Sequence, residues 1–353
     1  MYKKYVLRLI GVVIGLLILC AGTVFVLDPA FQYHLPFAGI EATYTNERYQ
    51  NAGLIKNQDY DSICIGSSVT SNFRASWFDE RFGGKTLKVC YPGGTFSDFD
   101  LALETAYATH DIKQIYWSLD PRLLSADPQD SHDMPDYLYD FNPLNDIQYL
   151  LNKDILLDSC AQTVLATLSG THTDLDEAFV WDDGDAKYGL DVAIASYERP
   201  DDIGFQYDRH VFDEALRANL EIIDKWVDGH PETTFYLYFP PYSTLYFDSI
   251  KRQGQIDAMM FLLYDTANRY KDKPNVKFYS FIDQNAITTN YDNYTDMVHY
   301  RSEVNRYIVD YMADNPPLDD SGVEALASHL CSLMENYDFD SLYPPAVQAQ
   351  YQS

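Results

Sequence analysis

Positive charge is scarce in this sequence. Of its 353 residues, 25 are Lys or Arg and 53 are Asp or Glu, which gives a formal net charge of -28. Nucleic acids and anionic lipid surfaces bind proteins through basic side chains. The charge balance therefore argues against a nucleic-acid partner and against electrostatic binding to an anionic membrane surface.

Cysteine is also rare. The five cysteines form no CxxC pattern, and no HExxH pattern occurs, so the sequence offers neither a disulfide framework nor a structural metal site. We expect no metal and no cofactor. Cys64 and Cys90 fall in predicted buried strands that could be neighbours. A disulfide between them could form in an oxidising exterior, but we expect two buried free thiols.

Long apolar runs are limited to one. Three basic residues precede an uncharged run from Leu9 to Leu27, and Asp28-Pro29 ends it. At ~1.5 Å per residue this run is about as long as a hydrocarbon core is thick. We expect residues 1–36 to be a cytoplasmic tip and a single-pass signal anchor in the cell membrane, with the rest of the chain outside. A cleavable signal peptide is the alternative; the length of the run and the lack of a small-x-small cleavage site count against it.

Apolar segments alternate with amphipathic helical segments in the rest of the chain. Residues 37–58 are polar and irregular, which predicts a linker, and 343–353 predict a loose tail. The region 59–342 contains five predicted strands, at 62–66, 86–91, 114–119, 233–239 and 276–281. This alternation predicts an α/β fold, a flavodoxin-like three-layer sandwich with a five-stranded parallel sheet.

One region interrupts the alternation. Residues 122–207 are acidic and rich in Asp, Pro and Tyr, with a predicted helical pair at 145–168. We interpret this region as an insertion after the third strand, on the rim where open α/β sheets bind ligands. Such an insertion would shape a substrate cleft or a partner surface. Its acidic segment Trp181–Asp185 lacks the ligand pattern of a calcium loop and is interpreted as a solvated turn.

A serine follows the first predicted strand. Gly66-Ser67-Ser68 lies between this strand and a helix predicted to begin at Ser71. A serine there can act as a nucleophile, with the helix N-terminus supplying N–H groups. Ser68 is therefore a candidate nucleophile. The alternative is an ordinary β-α turn with Ser71 as N-cap.

The candidate base follows the last strand. Among the eight histidines, only His299 has an acidic residue three positions before it, Asp296. A serine nucleophile needs a base with a pKa near neutrality, and a carboxylate can fix the tautomer of that base. Asp296 and His299 are therefore the candidate orienting acid and base. Taken alone, Asp-x-x-His is also compatible with a surface turn.

Two further strand ends carry candidate substrate-binding residues. Gly93-Gly94 follows the second strand, where a backbone N–H could approach a developing oxyanion without hindrance from a Cβ. A tight β-α turn is the alternative. Asp120 follows the third strand on the same rim. We predict that Gly93, Gly94 and Asp120 contribute to oxyanion or substrate binding.

Three segments resemble the blocks of the SGNH (GDSL-type) hydrolase superfamily. They are Ile65–Ser68, Tyr91–Thr95 and Tyr294–Tyr300, and the resemblance extends over about residues 60–312. It implies that Ser68 is the nucleophile and that Gly93 is the better match to the oxyanion glycine.

The chain departs from the family pattern after the third strand. Ser118-Leu119-Asp120-Pro121 occurs where hydrolases of the family have Gly-x-Asn-Asp, so the oxyanion asparagine is missing. The resemblance then implies another donor in its place, such as a backbone N–H or Arg122.

The single anchor, Leu-Asp after the third strand and Pro-Pro-Tyr after the fourth are similar to a membrane-tethered branch of the superfamily. That branch includes proteins of teichoic acid D-alanylation and exopolysaccharide O-acetylation, commonly beside a membrane-bound O-acyltransferase. The resemblance implies an extracytoplasmic serine acyl-esterase or O-acyltransferase that acts on an acylated cell-surface polysaccharide or teichoic acid.

Two alternatives remain. The chain could be a non-catalytic, membrane-tethered partner of a membrane-bound O-acyltransferase. It could also have the α/β-hydrolase fold, but Gly66–Thr70 lacks the closing glycine of the Gly-x-Ser-x-Gly elbow.

Overall fold

A computed structural model describes residues 2–129, 134–182 and 184–343. The chain forms two compact units. The first comprises Met1–Asp59, Leu101–Asp111 and Asp133–Phe179, and the second comprises Tyr60–Asp100, Ile112–His132 and Val180–Ser353. Apart from Tyr343, the predicted tail lies outside the described residues.

A five-stranded sheet forms the core of the second unit. Its strands are β1 Ser62–Gly66, β2 Thr86–Cys90, β3 Gln114–Ser118, β4 Thr234–Phe239 and β5 Val276–Ser280. All neighbouring strands are parallel, in the order β2-β1-β3-β4-β5. Nearly every strand residue is buried. Because successive side chains point to opposite faces, both faces must be covered. The predicted α/β sandwich is confirmed, and each strand matches its predicted bounds within one residue at either end.

The strand order creates a crevice at one end of the sheet. From β1 the chain passes to β2 on one side, and then crosses over β1 to β3 on its other side. Loops after β1 and β3 therefore leave in opposite directions, which is where open parallel sheets bind ligands. Gly66 at the end of β1 and Ser118 at the end of β3 are adjacent, because Ile65 pairs with Trp117.

Fifteen α-helices lie in the described part of the chain. Their bounds are α1 Tyr2–Leu27, α2 Glu47–Asn57, α3 Ala75–Phe82, α4 Phe96–Thr109, α5 Pro121–Leu124, α6 Asp136–Tyr139, α7 Ile147–Leu150, α8 Cys160–Ser169, α9 Leu190–Ala195, α10 Asp213–Gly229, α11 Thr244–Arg252, α12 Ile256–Tyr270, α13 Asn285–Thr288, α14 Ser302–Asp314 and α15 Asp320–Asn336. A π-helical segment, Ile155–Ser159, directly precedes α8.

α1 is the helix that could cross a membrane. It has 26 residues, and within the described residues no other helix is both long and apolar enough for a span. Nearly all of its side chains are exposed, and Val24 is its one buried residue. The prediction of an N-terminal segment that could span a membrane is therefore confirmed.

The segment predicted as an irregular linker contains a buried helix. α2 runs through Glu47–Asn57, and it buries polar and small residues, such as Gln50 and Gly53, beside Leu54 and Ile55. The Gln50 side-chain amide donates to the carbonyls of Pro29 and Thr43 at 2.8 and 2.6 Å. A face that is buried through such hydrogen bonds leaves no apolar periodicity in the sequence.

Two stretches of the chain are divided in the structure. Gly254 lies between α11 and α12, where its φ of +66° ends the first helix, and a Cβ there would lie 2.2 Å from the Phe205 carbonyl oxygen. The predicted insertion is also divided, since residues 133–179 belong to the first unit and 180–207 to the second.

A buried ion pair ties the residue 199 segment to α11. The Arg199 guanidinium contacts both Asp248 carboxylate oxygens, at 2.7 and 3.0 Å, and the two side chains are 2% and 3% exposed. A third contact joins Arg199 to Asp340 at 2.8 Å.

Replacing Asp248 with Asn should lower the free energy of unfolding by about 3–5 kcal/mol, because the buried guanidinium loses its buried carboxylate partner and keeps only the half-exposed Asp340. Denaturant unfolding of the full chain in detergent, followed by circular dichroism, measures this. The control is Glu80→Gln, which breaks the exposed Arg306–Glu80 pair and should cost less than about 1 kcal/mol. Equal losses of unfolding free energy in the two variants would contradict a stabilising role for the buried Arg199–Asp248 pair.

Candidate active site

The serine turn begins where β1 ends. A Cβ on Gly66 would lie 2.2 Å from Thr70 Oγ1, so a glycine lets the chain fold back tightly at this position. Ser68–Thr70 form one 3-10 turn, and α3 begins at Ala75 rather than at Ser71 as predicted. The N–H groups around Ser68 therefore belong to a loop and not to the first turn of an α-helix.

Asn72 holds the chain out of a helix at this position. Its side chain is fully buried. The side-chain oxygen Oδ1 of Asn72 accepts hydrogen bonds from the backbone N–H of Trp181 at 3.2 Å and of Asp182 at 3.1 Å. The side-chain NH₂ donates to the Tyr300 carbonyl at 3.4 Å. Such side-chain contacts compete with helix formation. They also join the serine turn to the histidine loop.

The loop that carries Asp296 and His299 is closed on itself. Tyr294 and Tyr300 form an antiparallel bridge, and the Thr295 N–H donates to the His299 carbonyl at 3.1 Å. The Ser243 hydroxyl, after β4, donates to the Met297 carbonyl at 2.8 Å. The loop conformation is therefore fixed by neighbouring backbone contacts.

Ser68, His299 and Asp296 form a continuous hydrogen-bonded chain. Ser68 Oγ lies 2.6 Å from His299 Nε2, and His299 Nδ1 lies 2.5 Å from Asp296 Oδ2. Asp296 Oδ1 accepts from the backbone N–H of Val298 and of His299, at 2.8 and 2.7 Å. Burial acts to raise the pKa of Asp296, but the His299 ring and these two N–H groups together lower it below its ordinary value. Asp296 is thus held as a carboxylate that can fix one tautomer of His299.

Ser68 and His299 line a cavity of about 260 Å³. Its lining includes four of the predicted site residues, Ser68, Gly93, Asp120 and His299. A larger groove of about 580 Å³ lies beside α10 and α12, but its acidic, basic and apolar side chains include no serine or histidine. Of these two cavities, only the smaller one is lined by a serine and a histidine.

The two glycines after β2 have different surroundings. Gly93 lines the cavity and has φ +66°, a conformation that favours glycine. Gly94 is not part of the cavity lining. Its N–H donates to the Tyr91 carbonyl at 2.7 Å, and a Cβ there would lie 2.6 Å from the Tyr91 Cβ, so this glycine belongs to the tight turn. Within the described residues, the N–H groups of Ser68 and Gly93 make no hydrogen bond. These two N–H groups are free to bind an oxyanion.

Asp120 is a fully buried acid on the cavity wall. Its Oδ1 accepts from the Ser118 hydroxyl at 2.9 Å, whereas its Oδ2 has no partner at hydrogen-bonding geometry within the described residues. Burial raises the pKa of Asp120 to about 6, and the nearby hydroxyls of Ser67, Ser118 and Tyr242 and the His299 ring lower it only in part. Asp120 can therefore exist as a neutral acid in mildly acidic solution.

Trp181 contacts the site, although its segment was interpreted from the sequence as a solvated turn. Its indole N–H donates to the Ser68 carbonyl at 3.2 Å, and its ring meets the His299 ring edge-on, with centroids 5.7 Å apart. In the sequence, the one sign of these contacts was a tryptophan within an otherwise acidic segment.

Two other buried polar residues donate hydrogen bonds to backbone carbonyls in and just after the serine turn. Lys88, buried in β2, donates to the carbonyls of Ser71 and Phe73 at 2.7 and 2.8 Å. Asn305 in α14 donates to the Val69 carbonyl at 2.9 Å. A lysine inside an otherwise apolar strand was a signal, whereas nothing in the sequence distinguished Asn305 or Asn72.

Replacing Asp120 with Asn should stabilise the protein in a pH-dependent way. Between pH 3.8 and about 6 the unfolded carboxyl ionises while the folded one keeps its proton, so stability falls as the pH rises. Two units of pKa correspond to about 3 kcal/mol. The variant should be more stable than the wild type by up to that amount at pH 8 and nearly equal at pH 4, as measured by unfolding of the full chain in detergent.

The control for this measurement is Asp127→Asn, an exposed acid on the same cavity. It alters an exposed side chain and should change the free energy of unfolding by less than about 0.5 kcal/mol. An Asp120→Asn difference that is the same at both pH values would contradict a raised pKa.

The chain was also compared with known proteins. It matches no family model, no curated protein and no solved structure.

Proposed function

We propose that this protein is a serine acyl-esterase or O-acyltransferase of the SGNH type. The observation that supports this most is the hydrogen-bonded chain Ser68–His299–Asp296, which opens into a cavity. A nucleophile, a base within hydrogen-bonding reach of it and an acid that orients the base are the three parts of serine acyl transfer.

Acyl transfer would start at Ser68. Its Oγ attacks the carbonyl carbon of an ester, while His299 Nε2 takes the hydroxyl proton. The tetrahedral intermediate collapses when His299 returns that proton to the departing alcohol oxygen, which leaves the acyl group on Ser68. Water or a sugar hydroxyl then attacks this acyl-enzyme, with His299 again accepting and returning a proton. Asp296 keeps the imidazole oriented through both halves.

The oxyanion of the intermediate would be bound by backbone donors. The unbonded N–H groups of Ser68 and Gly93 are the candidates. Asp120 occupies the chain position where the family has asparagine, and in its acid form it could add a third donor. Gly94 supports the turn and does not contribute an N–H.

The proposed substrate class is supported by the sequence motifs and by α1, and not by the geometry of the cavity. An ester on a cell-surface polysaccharide or teichoic acid fits the similarity of the sequence motifs and the presence of α1, a helix able to anchor the chain in a membrane. A cytoplasmic N-terminus would place the second unit outside the cytoplasm, where such polymers occur.

A non-catalytic, membrane-tethered partner of an O-acyltransferase is the second candidate. One observation favours it. Asp120 lines the same cavity, and its ionised carboxylate would repel an oxyanion formed there.

Ester hydrolysis distinguishes the two candidates. The full chain in detergent should release nitrophenol from p-nitrophenyl acetate, and Ser68→Ala should lower kcat/KM by at least about a thousandfold, because the nucleophile is lost. The matched control is Ser71→Ala, in the same turn, whose hydroxyl has no hydrogen-bond partner in the described part of the chain. It should retain activity near that of the wild type. A wild type without activity, or a Ser68→Ala variant as active as the control, would support the non-catalytic partner.

A further inference from the structure

The side chains of α8 are arranged in the opposite way to those of a helix in water. Cys160 and Thr163 face inward and are each 3% exposed, whereas Leu165 and Leu168 are 65% and 79% exposed. A surface helix of a soluble protein places its leucines inside and its threonines outside. The outer face of α8 is therefore suited to an apolar surrounding.

The inward orientation of the threonines is fixed by hydrogen bonds. Thr167 Oγ1 accepts from the Glu41 backbone N–H at 3.0 Å, and Thr163 Oγ1 lies 3.4 Å from Thr43 Oγ1. Rotating the helix to bury its leucines would break these contacts. The exposed leucines are thus a consequence of the packing of the first unit.

Seven exposed apolar residues lie in this part of the first unit, and we call them the apolar stripe. Its members come from the residues before α7, from α7 and its C-terminus, from the π-helical segment and from α8: Leu144, Ile147, Leu151, Leu157, Val164, Leu165 and Leu168. At ~100° per residue, the last three, which lie on α8, fall within about 100° of the helix circumference. α8 carries no charged residue.

The stripe adjoins the C-terminal end of α1. That end of α1 packs against α7, the π-helical segment and α8. Asp28 follows α1 and is buried; its carboxylate accepts from the Tyr149 hydroxyl at 2.8 Å and from the Gln32 and Tyr33 N–H groups at 3.0 and 2.7 Å. Since Tyr149 lies in α7, these bonds hold the stripe beside the end of α1.

Aromatic rings gather at the same end of α1. The Phe25 and Tyr33 rings lie 4.9 Å apart, and His34 stacks on Phe37 at 4.0 Å. Phe37 is half exposed. Tyr and Trp are enriched where a membrane span meets water, and Tyr33 of this cluster lies six residues after the end of α1.

We propose that the apolar stripe lies in the interface of the bilayer that α1 spans and is covered by lipid. The inference rests on the proposed anchoring by α1, whose exposed apolar surface the stripe continues. Lipid fits better than a protein partner, because α8, which carries the largest part of the stripe, has no charged residue and packs against a helix able to span a membrane. The first unit would then hold the protein at the membrane by a span and by a surface contact, in a way that does not need anionic lipid.

Tryptophan fluorescence in vesicles tests the proposal. Leu168→Trp and Gln162→Trp would be compared in the full chain, reconstituted into phosphatidylcholine vesicles with or without brominated acyl chains. Both positions are exposed on α8 and lie about 120° apart around its axis. The four native tryptophans occur in both variants and supply a common background.

The emission of the added tryptophan is the emission of the variant minus that of the wild type. For Leu168→Trp this added emission should lie at shorter wavelength and lose most of its intensity in brominated vesicles, whereas for Gln162→Trp it should change little. Equal, weak quenching of both variants in chains that float with the vesicles would overturn the lipid contact while leaving the anchor intact. Chains that do not float would overturn the anchor itself and the inference with it. A Leu168→Trp emission that is shifted but not quenched would show that protein covers the stripe, and it would also overturn the inference.

Discussion

The hydrogen bond between Ser68 Oγ and His299 Nε2 is the interaction on which the functional reading depends. Its two residues are 231 positions apart in sequence, and they meet at 2.6 Å. The parallel sheet makes this possible, because the loops after β1 and β5 emerge at the same edge. The finer alignment comes from polar contacts around the two loops, chiefly those of Asn72, Ser243 and Asn305. The geometry is thus held by the fold and by its buried hydrogen bonds together.

The acid at position 120 gives the site its distinct character. A buried carboxyl is costly when it is ionised, and burial raises the pKa of Asp120 to about 6. In the acid form the same group can donate a hydrogen bond into the cavity. If the proposed acyl transfer takes place there, the protonation state of Asp120 would decide whether the cavity wall opposes or assists the anionic intermediate.

Apolar periodicity allowed the sheet to be predicted from the sequence. Its strands are short apolar segments with few polar interruptions, and their ends were accurate to about one residue. The candidate nucleophile, base and orienting acid were also found, because Ser, Asp and His occur at strand ends in an informative order. Asp-x-x-His is a local pattern, so its geometry follows from a single tight loop.

Features built from buried polar contacts were missed. α2 has Leu54 and Ile55 as its only large buried apolar residues, beside Gln50 and small side chains, so it was interpreted as a linker. Asn72 displaces the start of α3 through side-chain bonds to a segment 109 and 110 residues away, and no local pattern carries that information. Trp181 reaches the site for the same long-range reason. The apolar stripe was not predicted from the sequence, because its leucines have the spacing of an ordinary core helix. Only the structure shows which side of α8 is buried.

Covalent labelling of the full chain with a fluorophosphonate tests most directly whether His299 activates Ser68. The detergent-solubilised protein would be labelled, digested and mapped by mass spectrometry. We expect one phosphonyl adduct, on Ser68, formed much more slowly after Asp296→Asn, which disturbs the His299 tautomer. An unlabelled wild type, an adduct on Ser67 or another hydroxyl, or a labelling rate that Asp296→Asn does not change would contradict the account.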